Sequence, residues 1–339
     1  MKHSPRLHSA PLLAGVLLLL LAPSCGGPAD DRPQLAFVTN CVDPFWNIAK
    51  AGVRDAAAEF DVKVDVREPS TGQVDEQQRM VLDLLTRGVD GIALSPIDGR
   101  NQVDLINRAA DETHVICQDS DAPTSDRLCF VGVDNYSAGW SCGELVKEAL
   151  PEGGELIIFV GRLEQDNSRL RRQGVIDCLL GREPDATRYD APDARLEGNG
   201  FVILDTRTDG GDQARARANA EDALVKYPDL DAMVGLFAYN PPACVEALDA
   251  IGRRGEVVIA AFDEADATLD GIAGGWICGT VTQAPYSYGY ESVRILAGLA
   301  RGDESVLPEG GMLDVPSTVV RVDNVAEFRQ ELERLRGDA

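Results

Sequence analysis

The sequence predicts an α/β protein made of two doubly wound, Rossmann-like parallel-sheet lobes. Three observations predict it. From residue 35 onward short apolar runs alternate with amphipathic segments, as strands covered on both faces by crossover helices do. The alternation runs through two series, and 339 residues exceed the ~250 at which a single core usually stops growing. No Gly/Ser-rich linker separates the series, so the chain is expected to cross between lobes more than once, at ordinary strand ends.

In the first series, residues 35–39 (LAFVT) read as a strand. Residues 44–60 read as a helix with Ile48, Val53, Ala56, Ala57 and Phe60 along one face, the spacing of an apolar stripe. Residues 62–67 alternate as a strand does, and 72–87 return to helical spacing through Val74, Met80, Val81, Leu84 and Leu85. Buried strands follow at 91–95, 114–118 and 129–133, with a helix at 100–112 between the first two. The second series opens with a helix at 136–149 that stops at Pro151-Glu-Gly-Gly, then a strand at 155–161 and a helix at 168–180. Beyond an irregular insertion (184–200) come a strand at 201–205, a helix at 212–226, a strand at 232–237 and a helix at 242–253. A strand at 256–263, a short helix and a strand at 276–283 complete the series. A helix at 285–301, a strand at 317–322 and a helix at 323–335 close the chain. Two sheets of five or six strands are expected.

Residues 1–25 read as a signal peptide. A short basic start precedes an uncharged run from Leu12 to Ala22, too short for a bilayer span, which needs ~20 residues. The segment ends Leu-Ala-Pro-Ser-Cys and resembles a bacterial lipoprotein box, with Cys25 lipidated after cleavage. Residues 26–34 then serve as a tether. The expected location is the periplasm, anchored to a membrane by lipid, or the outer face of a cell that has no outer membrane.

Composition removes several function classes. Net charge is −24, two units more negative once Lys2 and Arg6 leave with the leader. That field leaves no basic patch for nucleic acid. Of three histidines, His3 and His8 lie in the leader, so a multi-histidine zinc site cannot be built and a histidine triad has only His114. Neither a G-x-G-x-x-G nor a G-x-x-x-x-G-K-[ST] phosphate loop occurs, so no cofactor and no metal are expected. The Asp-rich stretch 205–212 lacks the alternating oxygen ligands of a calcium loop and reads as a solvated turn. Seven cysteines follow Cys25 with no C-x-x-C spacing. In an oxidising compartment, Cys117 with Cys129 and Cys142 with Cys178 are the expected bridges, leaving Cys41 among the free thiols.

Polar residues stand at the C-terminal ends of predicted strands: Asp43, Asp119, Asn240 and Asp263. Open parallel sheets collect ligands at such ends. Each has a local explanation as well. Asp43 before Pro44, and Asn240 before two prolines, can cap helices, and Asp119 and Asp263 suit turns. Four at equivalent places in the topology point to a binding cleft.

Across nearly all of residues 35–322 the chain resembles the ribose-type periplasmic sugar-binding proteins of bacterial ABC importers. The resemblance is carried by TNCVDPFW (39–46), EQQRMVLDLLTRGVDGIALSP (76–96), QDSD (118–121), VGVDNYSAG (131–139), SRLRRQG (168–174), FAYN (237–240), AFDE (261–264) and GTVTQ (279–283). It implies the type I periplasmic binding protein fold, with lobes of residues 35–133 plus 284–316 and 134–283 plus 317–339. A three-crossing hinge would join them around a ligand cleft. It implies ligand contacts from Asp43, Phe45, Trp46, Asp119, Arg171, Asn240, Asp263 and Gln283. Such rings cover the C–H faces of a sugar while the polar tips bond vicinal hydroxyls. Ser120 stands where ribose binders carry arginine, and Gly211 where they carry an aromatic, so ribose itself is not implied. The acidic cleft leaves room for an amino-sugar. The expected function is capture of a monosaccharide or related polyol, without chemistry, by a monomer that delivers it to ABC permease subunits. The alternative is a sensor that presents its closed form to a membrane receptor or histidine kinase. A repressor of related core would need an N-terminal helix-turn-helix, and a glycosidase two of these aspartates flanking a bond.

Overall fold

Apolar runs buried on both faces form the strands, and one-sided stripes form the helices that cover them. The structure, a computed structural model, describes Met1 and residues 31–336. The expected leader with Cys25, and the tether up to residue 30, lie outside the described residues. In chain order the first series is β1 (Gln34–Val38), α1 (Phe45–Glu59), β2 (Lys63–Arg67), α2 (Val74–Thr86), β3 (Gly91–Leu94), α3 (Val103–Ala110), β4 (His114–Gln118) and β5 (Phe130–Gly132). The second begins with α4 (Asn135–Ala149), β6 (Gly154–Val160), α5 (Asp166–Leu179), β7 (Leu196–Gly198), β8 (Phe201–Thr208) and α6 (Gln213–Lys226). It continues through β9 (Ala232–Gly235), α7 (Asn240–Ala250), β10 (Val258–Phe262), α8 (Asp266–Gly274) and β11 (Gly279–Thr282). Then come α9 (Pro285–Leu299), β12 (Met312–Asp314), β13 (Thr318–Val320) and α10 (Val325–Arg336).

Six strands form one sheet in the order β12-β5-β4-β3-β1-β2, and seven form the other in the order β13-β11-β10-β9-β6-β8-β7. Pairing is parallel throughout except at the two edges of the second sheet, β13 and β7. Three details differ from the sequence reading. β1 begins at Gln34, one residue inside the expected tether. The three-residue edge strand β12 was not expected. The insertion 184–200 holds β7, joined to β8 as a hairpin through Asn199 and Gly200 at φ 50° and 83°, a left-handed Asn-Gly pair that matches strand twist.

The pleat also decides the cysteines. Ala36, Val38, Ile92, Leu94 and Cys117 share one face of the first sheet, whereas Leu35, Phe37, Ala93, Ile116 and Cys129 share the other. Cys117 and Cys129 are backbone neighbours, but their side chains diverge through the sheet, and both are free thiols. Cys142 and Cys178 are free as well. The first turns its thiol to the Ala261 carbonyl at 3.6 Å, the second to Glu144 Oε1 at 3.0 Å. Neither expected bridge is present.

Each sheet carries a helix pair in backbone contact. A Cβ on Gly52 of α1 would lie 2.0 Å from the Tyr286 carbonyl of α9, and one on Gly139 of α4 would lie 2.1 Å from the Arg171 carbonyl of α5. Only glycine permits that approach. The chain passes from the first sheet to the second after β5, returns after β11, and crosses again between β12 and β13. No helix among the described residues is long and apolar enough to cross a membrane.

Candidate ligand-binding cleft

Two aspartates occupy matching places in the two sheets. Asp119 ends β4 and donates its N–H to the Val131 carbonyl of the neighbouring strand at 3.1 Å; Asp263 ends β10 and does the same to Val281 at 2.9 Å. Both have left-handed backbone, φ 59° and 67°, a conformation that non-glycine residues adopt at a cost and that clusters at functional sites. That turn stops each strand at the sheet's ligand-collecting edge.

Their surroundings differ. Asp119 Oδ2 accepts from Ser95 Oγ (2.9 Å), Asn40 Nδ2 (3.2 Å) and Asn167 Nδ2 (3.4 Å). Asn167 belongs to α5 of the second series, so this bond spans the two sheets. Burial raises the Asp119 pKa against the opposing effect of Arg171 and these donors. Asp263 Oδ1 accepts from Gln283 Nε2 at 2.7 Å, and its Oδ2 lies 3.9 Å from Arg171. Burial, with Asp119 and Asp43 adding to it, pushes Asp263 up to about 6 despite Arg171 and Gln283.

Arg171 is the counter-charge between them and is only 1% exposed. Its Nε donates to Asn135 Oδ1 at 2.9 Å and one terminal nitrogen to the Leu236 carbonyl at 3.3 Å. The guanidinium stacks 4.1 Å from the Phe262 ring centroid. The other terminal nitrogen is buried with no hydrogen-bond partner among the described residues. Gln283 is held in turn by Tyr288, whose hydroxyl donates to Gln283 Oε1 (3.0 Å) and accepts the Val133 N–H (3.1 Å). Val133 and Gln283 stand at the first and second crossings, so one phenol bonds both connectors.

The strand ends enclose a cavity of about 540 Å³, within the range of small-molecule sites. Seven of the eight sequence-predicted residues line it: Asp43, Phe45, Trp46, Asp119, Arg171, Asp263 and Gln283. Asp43 also caps α1, accepting the Phe45 N–H at 2.9 Å, and burial raises its pKa. Trp46 is 2% exposed and meets Phe37 and Phe45 edge-on, so most of its ring is core. Asn240 is not on the wall. It is fully buried, accepting the Phe237 N–H and donating to Asp209 Oδ2 at 2.9 Å. Asn240 therefore aims Asp209, which does line the cavity.

Sequence reasoning missed Asp209 by taking 205–212 as solvated; it is 1% exposed and accepts from Tyr239, Asn240 and the Gly211 N–H. Arg162, Asn167, Phe237 and Tyr239 were missed too. All but Asn167 stand within four residues of a strand's C-terminal end, the signal that found the others. Arg162 fills the space over Gly211: a Cβ there would meet its guanidinium at 3.3–3.5 Å. Among the described residues no cluster of His, Cys, Asp or Glu could hold a metal ion.

A cleft of carboxylates, guanidinium and rings between two parallel sheets has known counterparts. A family model described as a periplasmic binding protein domain matches residues 36–304. The D-allose-binding periplasmic protein of Escherichia coli (strain K12) is 23% identical over 288 residues, covering 82% of this chain and 86% of that protein. A solute-binding protein from Burkholderia graminis C4D1M, solved with D-arabinose, is 28% identical with a TM-score of 0.77, over 86% of this chain and 96% of that one. A glucose-galactose binding protein from Geobacillus stearothermophilus is 25% identical, also with a TM-score of 0.77, over 87% of this chain and 99% of that one. On the family match and the shared fold, this chain belongs to the periplasmic binding proteins, which bind their ligands and do not transform them.

Proposed function

We propose that this chain is a periplasmic solute-binding protein for a monosaccharide or related polyol, anchored through lipid at Cys25. It works as a monomer that hands its ligand to ABC permease subunits. The observation that carries the sugar reading is Arg171, one of whose nitrogens has no hydrogen-bond partner among the described residues, lining one cavity with Asp119 and Asp263. A hydroxyl can accept from a guanidinium while donating to a carboxylate, and a polyol offers several such groups on adjacent carbons. Relatives named for allose, arabinose, glucose and galactose support the reading.

The lobes 35–133 plus 284–316 and 134–283 plus 317–339 are the moving bodies in this proposal. A ligand touching both gains contacts only in the closed form and so shifts the population toward it. The permease reads that closed surface.

The test is a thermal-shift screen against monosaccharides, polyols and amino-sugars, since a ligand of the native state raises its melting temperature. Titration calorimetry on the hits follows. At least one sugar or polyol should bind, and Arg171→Ala and Trp46→Ala should each weaken it. A panel with no hit, or unchanged affinity in both variants, overturns the reading. For the anchor, Cys25→Ser should move the protein from the membrane fraction to the soluble one.

A further inference from the structure

Beyond Phe45 and Tyr239 the cleft continues into a second hollow of about 490 Å³, which shares five wall residues with the first. Glu264, next in sequence to Asp263, lines this hollow and is 3% exposed. Neither of its carboxyl oxygens has a hydrogen-bond partner among the described residues. Buried polar groups are almost always paired, and an unpaired carboxyl is among the costliest exceptions.

The cations nearby are already committed. Arg217 is bonded to Glu221 and Glu246, both at 2.9 Å, and Arg336 to Asp266 at 2.6 Å. The field of Arg336 reaches Glu264 and opposes those of Asp263 and Asp43, but it makes no bond there. Asp43 accepts the Phe45 N–H and has no ion pair among the described residues. Arg171 is left to balance Asp263 and Glu264 while also facing Asp119. Around the two hollows together, eight carboxyls face five guanidiniums.

We infer that the ligand is an amino-polyol, whose protonated amine enters the second hollow and donates to Glu264 and Asp43 while its hydroxyls occupy the first. An ammonium supplies three donors and the positive charge that this side of the cleft lacks. The opposite end, where the half-buried Arg162 faces Asp209, takes hydroxyl oxygens. The inference rests on the polyol reading and deepens it. Burial and the neighbouring carboxylates hold Glu264 well above the usual carboxylate range, and an ammonium at its oxygens favours the ionised form, so amine binding should draw a proton off it.

The experiment is titration calorimetry of the full chain with paired probes. Glucose, galactose, mannose and myo-inositol are each compared with the analogue in which one hydroxyl is replaced by an amine. The N-acetylated amines and the corresponding uronic acids complete the set. For at least one pair the amine should bind tenfold or more tightly than its parent, and N-acetylation should cancel the gain. The same amine should release a proton, measured across buffers of different ionisation enthalpy, where its parent does not. Glu264→Gln should fold with an unchanged or raised melting temperature and bring the amine-to-parent ratio toward one. If parents bind as well as amines, if uronic acids bind best, or if Glu264→Gln leaves the ratio intact, the amine is wrong while the polyol reading stands. If neither parents nor amines bind, both fall.

Discussion

Asp119 and Asp263 occupy the same place in two copies of one topology, with the same left-handed backbone and the same N–H bond to the next strand. Their company separates them. Asp119 is met by three neutral donors. Asp263 is met by one and by the repulsion of two acids, while Arg171 acts on both. Fold position therefore decides where a carboxylate stands, and the residues that face it decide how it titrates. Burial raises both acids, and Asp263 carries in addition the repulsion of Asp119 and Asp43.

Removing the shared counter-charge should break the comparison most severely. Arg171→Ala leaves both buried acids without their cation, which costs ~3–5 kcal/mol when a buried pair loses one member. The melting temperature should drop by many degrees, and any sugar bound should weaken by on the order of 10- to 100-fold. Next is the pH profile of the ligand-free protein. Asp263 keeps its proton when folded up to about pH 6, against the 3.8 of an ordinary aspartate. Between those values the folded state holds more protons than the unfolded, so stability falls as pH rises. The loss levels off above pH 6 at on the order of 2–3 kcal/mol. Asp263→Asn should flatten that window in denaturant melts from pH 4 to 7; an unaltered slope would assign the titration elsewhere. Gly52→Ala and Gly139→Ala probe the helix pairs of the two lobes, and each should cost ~1–3 kcal/mol through overpacking, read as a lower denaturation midpoint. The mildest change is Ser95→Ala, which removes one of the three donors to Asp119 and should cost ~1 kcal/mol in the same melts.

The alternation of apolar runs was enough to foresee both sheets, because parallel strands buried on two faces leave a strong periodic trace. It could not foresee β12, whose three residues are too few to show a period. The β7–β8 hairpin was legible, since Asn199-Gly200 is a hairpin signal, but the polar stretch before it masked the strand. Asp43, Asp119 and Asp263 were found through their places at strand ends, and those places bring them to one cavity. Asn240 has the same kind of place and turns away from it, because the first turn of α7 directs its amide to Asp209. Glu264 shares the strand-end position of the others, two residues past β10, but nothing in the order of residues tells that a glutamate beside an aspartate is folded inward. The cysteine pairs failed for a related reason, since adjacency along strands says little until the pleat has assigned each side chain to a face.

Tyr288 gives the molecule a built-in reporter. Its phenol is wholly buried and bonded to both Val133 and Gln283, so the connectors cannot swing apart without breaking one of those bonds or dragging the ring along. Its ultraviolet absorbance should therefore register the hinge angle directly. Subtracting a Tyr288→Phe spectrum from the wild-type one would isolate that chromophore, and a guest that shuts the cleft should change the difference without any label being attached.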